Sequence, residues 1–416
     1  MRLQKDRNLA VSSPTVRRVL RGELCAGCGL CAGVSDGALR MADSPPGYAR
    51  PVGAGAIAPA AEAIIAAACP GAVVAPWPGT GDVDPYWGPA RRVATGYATD
   101  PKVRFEGSSG GAISALLIHA LQQGLVDRVV HIAADPDAPT RNVTAVSRTP
   151  QEVLARAGSR YTASSPLAGI DALLAEGGRF AFIGKPCDVS ALRLLGTADP
   201  RVAAHAPLMM SFFCGGIPSH DGVGRILRTM GVEAERVVGF RYRGQGWPGS
   251  ARALTDSGEA CEMSYAESWG GHLSKEVQFR CKICPDAVGG VADIACADAW
   301  YGDDEGYPSF EEEAGRSLII SRTEVGERLL ESALAAGALA ADLLEAQEIV
   351  KMQPSQARRK RLVLARTAPL PLLLQPTPTM AGLKVLGAAR RGGLGDFARN
   401  FLGAIRRTLL GRRSRA

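Results

Sequence analysis

Cysteine is the residue type with the clearest chemical pattern in this chain of 416 residues, which contains 10 of them. Cys25, Cys28 and Cys31 lie at intervals of three residues. Cys69 follows in the same N-terminal segment, directly before Pro70. A C-x2-C-x2-C loop with a distant Cys-Pro is typical of the ligands of a 4Fe-4S cluster. We therefore predict an iron–sulfur cluster on these four thiolates, with zinc and unligated thiols as the alternatives.

The other six cysteines follow later in the chain. Cys281 and Cys284 form a C-x2-C pair that can present two thiolates to one metal centre. Cys187 and Cys214 each follow a predicted strand, at the edge where α/β sheets place their sites. We predict a second 4Fe-4S cluster on these four residues, the alternative being one cluster only, with Cys187 and Cys214 as small buried residues. The two remaining cysteines are expected in the core, or alternatively as redox-reactive or substitute ligands: Cys261 and Cys296.

A glycine- and serine-rich segment precedes an apolar helix and consists of Gly107, Ser108, Ser109, Gly110 and Gly111. Its backbone amides and the helix dipole favour a phosphate, although the segment matches neither the dinucleotide fingerprint nor the ATP P-loop. A chain that moves single electrons through clusters needs a converter for hydride chemistry, and a flavin with a pyrophosphate to anchor is the usual one. The segment is therefore predicted to bind such a flavin, an ordinary helix N-cap being the alternative.

The surrounding pattern predicts an α/β (or α+β) fold, because strands alternate with helices. Expected strands cover residues 126–133, 180–184, 208–213 and 317–321. Expected helices cover residues 108–124, 149–157, 188–195 and 324–335. The predicted units are a ferredoxin-like 4Fe-4S module with little regular structure (20–80), the two parts of a flavin-binding body (85–175 and 176–350, the second with the later cysteines) and a basic helical tail (370–416). Residues 76–81 are predicted to be a linker.

Charge is distributed unevenly along the chain. The net charge is +7, but residues 351–416 contain 15 Lys and Arg and a single acid, Asp396, so the tail carries +14 and the rest −7. Residues 381–410 predict an amphipathic basic helix, which either folds onto its own domain, lies on an anionic membrane or docks on a partner. No nucleic-acid partner is expected, because no aromatic-interleaved recognition motif accompanies the charge. The polar start and the lack of a long apolar run predict a cytoplasmic location, with the tail as the alternative link to the inner face of the membrane.

Several segments together resemble the coenzyme F420 hydrogenase/dehydrogenase beta-subunit family, which also includes ferredoxin-dependent chlorophyll-type reductases. The similarity spans roughly residues 20 to 350, and the ordered set is more specific than any single segment. Its motifs are, in order, the Cys25, Cys28, Cys31 and Cys69 module, residues 108–112, 158–161, 184–188 and 213–215, the Cys281 and Cys284 pair, and residues 293–300. Ala297 departs from the pattern, since the family often has glycine before this aspartate.

The resemblance implies FAD in the α/β body, with 4Fe-4S clusters that supply or receive its electrons. It implies that the segment 107–111 holds the flavin phosphates, and that Tyr161 and Asp298 also bind the cofactor. Lys185 and Arg160 are implied to be catalytic, because positive charge near the flavin or an anionic substrate stabilises the reduced, anionic flavin. The alternative for both cations is a surface ion pair.

We therefore expect an FAD- and 4Fe-4S-dependent oxidoreductase that couples hydride chemistry to single-electron transfer. The resemblance implies coenzyme F420 or a related conjugated acceptor as the small-molecule substrate, and ferredoxin or a partner redox subunit as the electron partner. A ferredoxin-dependent reductase of a chlorophyll-type substrate and a non-catalytic electron-wiring subunit are the alternatives. A zinc-stabilised interaction scaffold is a third.

Overall fold

The computed structural model describes residues 11–79, 83–302 and 309–411. The N-terminal part folds around a small hairpin, so the expectation of little regular structure there is wrong. Its elements are α1 (Pro14–Arg21), α2 (Leu30–Gly33), β1 (Leu39–Ser44), β2 (Tyr48–Gly53) and α3 (Pro59–Ala68). The strands pair antiparallel from Leu39 opposite Gly53 to Ser44 opposite Tyr48. They escaped the sequence analysis because their burial does not alternate cleanly along either strand.

The body begins with elements that carry strong local signals. They are β3 (Arg92–Ala98), α4 (Pro101–Glu106), α5 (Ala112–Gln122), β4 (Arg128–Ala134), β5 (Asn142–Ser147), α6 (Pro150–Ala155), α7 (Ile170–Ala175), β6 (Phe180–Gly184), α8 (Pro186–Leu195), α9 (Arg201–His205) and β7 (Leu208–Phe212). The helix predicted for residues 149–157 is confirmed. Thr149 and Glu152 form a capping box in which each side chain accepts a hydrogen bond from the other residue's backbone N–H.

The second part of the body adds a small antiparallel sheet and completes the large one. Its elements are α10 (His220–Thr229), β8 (Val237–Arg241), β9 (Ala251–Thr255), β10 (Ala260–Met263), α11 (Phe279–Lys282), β11 (Ile294–Asp298), β12 (Ser317–Ser321), α12 (Glu324–Ala335) and β13 (Leu339–Leu343). The bounds predicted for β6, β12 and α12 are confirmed to the residue. These segments are short apolar runs or a capped amphipathic run, so their local pattern is sufficient to define them.

Among the described residues, eight strands form the main sheet in the order β13-β3-β12-β11-β7-β6-β4-β5. The central strands β11, β7, β6 and β4 are parallel, and the outer strands pair antiparallel. The predicted α/β fold class is therefore confirmed, with a mixed sheet. Parallel strands bring their carboxyl ends to one edge, where such sheets bind ligands.

The C-terminal part packs against the body. Its helices are α13 (Ile349–Met352), α14 (Pro354–Thr367), α15 (Val385–Arg390) and α16 (Leu394–Leu409). The helix predicted over residues 381–410 is therefore two helices, separated by Gly392 and Gly393. Glycine is a poor helix former, and two in succession end the first helix.

One hydrophobic core joins all parts of the chain. It contains Leu30 and Trp77 from the N-terminal part, Phe180 from the body, and Leu383 from the C-terminal part. Trp77 belongs to the predicted linker and is buried, whereas Pro76, Pro78 and Gly79 around it are exposed, and residues 80 and 81 lie outside the described residues. Within the described part of the chain, no helix is both long enough and apolar enough to cross a membrane.

Candidate metal and cofactor site

The first set of cysteines is brought together at the N-terminal end of the molecule. Cys25, Cys28 and Cys31 are buried, and Cys69 packs against the small clusters that contain Cys25 and Cys31. Burial raises the pKa of the Cys69 thiol to about 11, and the nearby Cys25 adds to this shift. Such mutual repulsion means that several thiolates at this spot require a positively charged centre between them.

The loop that carries these cysteines needs two glycines in the left-handed region. Gly27 has a φ of 78° and Gly29 a φ of 88°. A Cβ on Gly29 would lie 2.7 Å from the backbone N of Ala168, so no other residue fits there without displacement. The hydroxyl of Ser165 donates to the carbonyl oxygen of Gly27 at 2.8 Å. The loop is therefore held against residues 165–168 of the body.

The second set lies around one cavity. Cys187, Cys214, Cys281 and Cys284 all line it, together with Arg280. Cys187 stands in the first turn of α8 after β6, and Cys214 follows β7, the neighbouring parallel strand. The two remaining cysteines come from α11 and the turn behind it. Two adjacent strand ends and one C-x2-C turn thus present four thiols to the same space.

Backbone amides face the sulfur atoms of this second set. The N–H of Gly216 donates to Cys214 Sγ, and the N–H of Ile217 donates to Cys281 Sγ, both at 3.4 Å. The side chain of Gln278 donates to Cys281 Sγ at 3.5 Å. Hydrogen bonds to sulfur are among the interactions that set the reduction potential of iron–sulfur clusters.

The two sets are neighbours. Ala26, which lies between Cys25 and Cys28 in the chain, lines the cavity of the second set. Arg280 precedes Cys281, is 2% exposed, and donates from Nε and Nη2 to the carbonyl oxygen of Pro70 at 3.2 and 2.9 Å. Because Pro70 follows Cys69, this one guanidinium connects the backbone of both sets.

The donor chemistry fits iron–sulfur clusters better than single ions. A zinc ion draws thiolate sulfurs to about 2.3 Å. In residues 11–79, 83–302 and 309–411, no group of three or more His, Cys, Asp or Glu side chains has the arrangement that would hold a single metal ion. A cube binds one thiolate at each of its corners, so its ligands stand farther apart. The four thiols of the second set, which line one cavity and receive hydrogen bonds from backbone amides, suit that geometry.

The remaining two cysteines lie elsewhere. Cys296 is buried in the core on β11, as predicted. Cys261 is only half-buried on β10, where its thiol lies 3.8 Å from a carboxylate oxygen of Glu259. Neither lines the cavity of the second set.

Lys185 is buried, so the alternative of a surface ion pair does not apply to it. The side chain is 5% exposed and lies 2.7 Å from both Asp188 Oδ2 and Ser164 Oγ. Burial opposes its charge, but the Asp188 carboxylate and the Cys187 thiol outweigh burial and raise the pKa of Lys185 above its ordinary value. A buried ion pair of Lys185 with Asp188 therefore stands beside the second set.

The glycine- and serine-rich segment 107–111 lies at the carboxyl end of β11. Ser109 Oγ is 2.7 Å from Ser317 Oγ, and Ser108 Oγ accepts a hydrogen bond from the backbone N–H of Ser159 at 2.5 Å. A Cβ on Gly110 would lie 2.6 Å from the carbonyl oxygen of Gly96, so close packing on β3 requires glycine there. The two serine hydroxyls of the segment are thus hydrogen-bonded to other parts of the protein, and Gly110 is packed against β3.

Arg160 and Tyr161 hold the small antiparallel sheet to the body. The Arg160 guanidinium is directed to Asn142 Oδ1 and to three carbonyl oxygens, those of Pro139, Arg141 and Phe240. Tyr161 packs against Trp269, with ring centroids 4.9 Å apart. These contacts favour structural roles for both residues.

Asp298 forms a buried pair that the sequence analysis missed. Its carboxylate accepts hydrogen bonds from Arg243 Nη1 and Nη2 at 2.8 and 2.7 Å, and from Trp247 Nε1 at 2.8 Å. Arg243 is 2% exposed on its side chain and stacks over the rings of Tyr265 and Trp300. Asp298 is therefore bound to protein groups.

A cavity of about 290 Å³ lies between the N-terminal hairpin and the body. Arg141, Asn142, Ser164 and His220 are among its lining residues. Among the described residues, no hydrogen-bond partner faces the buried Nδ1 of His220. Sequence reasoning missed this cavity because its walls come from distant segments with no shared motif.

Residues 158–165 connect these features. Ser159 bonds to the glycine- and serine-rich segment, Ser164 contacts Lys185 and lines the cavity, and Ser165 bonds to the loop of the first cysteine set. One short segment therefore runs from the helix start at α5 to the cysteine loop.

The fold and the site define a mixed α/β protein with two adjacent four-cysteine sets at the carboxyl edge of its parallel strands. The chain belongs to the coenzyme F420 hydrogenase/dehydrogenase beta-subunit family, whose N-terminal model matches residues 93–170 and whose C-terminal model matches residues 177–347. The predicted resemblance is confirmed. The family's hydrogenase and dehydrogenase beta subunits are subunits of oxidoreductases.

Similar proteins include hydrogenase subunits and a reductase. The coenzyme F420 hydrogenase subunit beta of Methanococcus voltae is 26% identical over 288 residues, which cover 66% of this chain and 95% of that subunit. The 7-hydroxymethyl chlorophyll a reductase of Oryza sativa subsp. japonica is 24% identical over 53% of this chain and 45% of the reductase. A chain in the solved F420-reducing nickel–iron hydrogenase complex of Methanosarcina barkeri shares the fold, with a TM-score of 0.50 and 21% identity over 68% of this chain and 96% of that chain.

Proposed function

We propose that this chain is an FAD- and iron–sulfur-dependent oxidoreductase subunit that couples two-electron chemistry to single-electron transfer. The single observation that carries the proposal is the cavity lined by Cys187, Cys214, Cys281 and Cys284 beside the loop of the first cysteine set. Family membership supports it, because the relatives of this chain include a hydrogenase subunit and a formate dehydrogenase subunit.

Each four-cysteine set is proposed to hold one 4Fe-4S cluster, which supplies one-electron transfer when bound. The protein's own contribution is to keep the thiols of each set together and to direct the amides of Gly216 and Ile217 at sulfur atoms of the second set. Arg280 sets the two sites beside each other through its bonds to Pro70.

FAD is proposed to bind along residues 158–165, and when bound it supplies the exchange between hydride and single electrons. The segment 107–111 lies at one end of this proposed FAD site, near the N-terminus of α5, and a helix N-terminus favours phosphate. The cavity at Ser164 and His220 is proposed to take the flavin ring or a flat conjugated acceptor, since Ser164 brings residues 158–165 to its wall. The buried charge of Lys185 then favours an anionic state nearby.

Coenzyme F420 or a related conjugated acceptor is the proposed substrate, and ferredoxin or a partner redox subunit the proposed electron partner. A ferredoxin-dependent reductase of a chlorophyll-type substrate is the second candidate, favoured by the match to the rice reductase. Assays with reduced ferredoxin and each acceptor separate the two. A non-catalytic wiring subunit would turn over neither.

Protein purified without oxygen is expected to contain FAD and about eight irons per chain, and to reduce coenzyme F420 or an artificial acceptor.

Replacement of Lys185 by methionine is expected to lower turnover about 100-fold, because the fixed charge that favours the anionic state is lost. Steady-state kinetics with iron and flavin assays measure this. Lys102→Met is the control, since Lys102 is an exposed lysine on α4. Loss of iron in parallel with turnover would instead assign Lys185 a structural role.

The C-terminal helix α16 is proposed to contact an anionic membrane surface. Its inward face, with Ala404, packs on the molecule, whereas Leu402 and Leu409 are 64% and 71% exposed. Arg399 and Arg406 are exposed on the same side of the helix. Exposed leucines between arginines are typical of helices that lie in a membrane interface. The tail charge of +14 complements anionic lipid.

Flotation with vesicles tests this contact. The protein is expected to float with phosphatidylglycerol vesicles at low salt and to remain behind with phosphatidylcholine. The double variant Leu402→Ser/Leu409→Ser is expected to bind at least about 10-fold more weakly, because less apolar surface is removed from water when the helix binds the membrane. Leu343→Ser is the control, since Leu343 is 78% exposed on β13 of the main sheet. Equal flotation of both variants would contradict the contact.

A further inference from the structure

Helix α14 covers the second cysteine set. It lies beyond residue 347, where the family match ends, so the match assigns it no chemical role. Arg359 Nη1 donates to the carbonyl oxygen of Cys214 at 2.7 Å, and Arg359 Nη2 donates to that of Gly215 at 2.6 Å. Gln356 Nε2 donates to the Cys214 carbonyl as well, at 3.1 Å. Side chains on one face of α14 thus bind the backbone of the loop that carries Cys214.

The same helix also donates hydrogen bonds to the C-x2-C turn. Lys360 Nζ donates to the carbonyl oxygen of Pro285, which follows Cys284. Arg366 Nη1 donates to the carbonyl oxygen of Lys282, which lies between Cys281 and Cys284, at 2.8 Å. Because these bonds and those of Arg359 come from one helix, α14 fixes the distance between two loops that are far apart in sequence.

Positive charge accompanies these bonds. Arg359 lines the cavity of the second set itself. Lys360 is 5% exposed, and its Nζ lies 3.8 Å from the centroid of the Trp77 ring, so this charge is held inside the molecule. A buried charge is weakly screened, and its field acts strongly on a neighbouring site whose own charge changes.

We propose that α14 is a positioning element of the second cysteine set that also raises the reduction potential of the cluster bound there. The inference rests on the proposed function, since it assumes that the set binds a cluster. Reduction adds an electron and therefore negative charge to a cluster, and nearby guanidinium and ammonium groups stabilise the reduced state more than the oxidised one. The cationic side chains of α14 are held in place by the hydrogen bonds that they donate to the backbone of the cysteine loops.

The test is a potentiometric titration of the complete protein followed by electron paramagnetic resonance. Arg359→Gln is expected to shift the midpoint potential of one cluster downward and to leave the other unchanged. Arg358→Gln is the matched control, because Arg358 is the exposed neighbour on the same helix. Arg359→Lys keeps the charge and is expected to restore most of the potential. The double variant Cys281→Ser/Cys284→Ser identifies the signal of the second cluster by removing it.

A downward shift of the second cluster in Arg359→Gln but not in Arg358→Gln supports the inference. Two clusters with unshifted potentials in Arg359→Gln overturn it and leave the proposed function intact. Wild-type protein that lacks the second signal and its iron overturns both. If Arg359→Gln does not accumulate as folded protein, Lys360→Met is titrated in its place, with the same downward shift expected and an unshifted potential again overturning the inference.

Discussion

Replacement of Cys281 and Cys284 by serine is expected to lower the iron content from about eight to about four atoms per chain. Both thiols line the cavity shared with Cys187 and Cys214, so the change removes half of the ligands of the second set. The first set shares no thiol with that cavity, and its cluster is expected to persist. Iron analysis and the visible absorption of anaerobic protein measure the loss.

Two other cysteines provide controls for that result. Cys296→Ser and Cys261→Ser are expected to retain all the iron, because neither residue lines the cavity of the second set. Full iron in the Cys281→Ser/Cys284→Ser protein would contradict the assignment of the second cluster. Full loss of iron would show instead that the two clusters assemble together.

Replacement of Asp298 by alanine is expected to lower the free energy of unfolding by about 3 to 5 kcal/mol, because it leaves the charge of Arg243 buried and unpaired. Arg243 loses two charge-assisted hydrogen bonds and, among the described residues, keeps the bond from its Nε to the Pro248 carbonyl oxygen at 2.6 Å and its stacking on two rings. Urea denaturation followed by tryptophan fluorescence measures the change. The double variant Arg243→Met/Asp298→Leu is expected to recover much of the stability, since both charges are removed.

Asp256→Ala is the control for an ion pair in water. Asp256 pairs with Arg236 at 3.1 Å, and both side chains are about half exposed. Its loss is expected to cost about 0 to 1 kcal/mol. If Asp298→Ala proved as mild as this control but lost its flavin, Asp298 would be a cofactor ligand, as the resemblance implies, and the structural role derived from its contacts would be wrong.

Local signals explain which elements the sequence predicted well. Residues 180–184 and 317–321 are short apolar runs, and both are buried strands at the predicted bounds. The helix Glu324–Ala335 begins behind Thr323, whose side chain accepts a hydrogen bond from Gly326 N. In each case the deciding interactions lie within a few residues of the chain. The N-terminal hairpin and the small sheet lack such patterns and were missed.

Resemblance alone did not decide the roles of the polar residues. The same family motifs contain Lys185, Arg160 and Asp298, yet only Lys185 lies buried beside a cysteine set and contacts Ser164, which lines the cavity between the N-terminal hairpin and the body. Arg160 and Asp298 bond to groups contributed by residues 139–142 and 240–247, which carry no motif. A side chain's partners depend on long-range packing, so a motif shows the residue type but not what it touches.

The sequence by itself determined the chemistry available to this protein, because cysteine spacing and strand–helix alternation are local properties of the chain. Eight cysteines in two patterns and a mixed α/β body were readable before any contact was known. Only the tertiary structure decided that the two sets are neighbours, that Arg280 connects them, and that helix α14 covers the second. These relations depend on contacts between residues far apart in the chain, from 75 positions for Lys360 with Pro285 to 210 for Arg280 with Pro70, which no local pattern encodes.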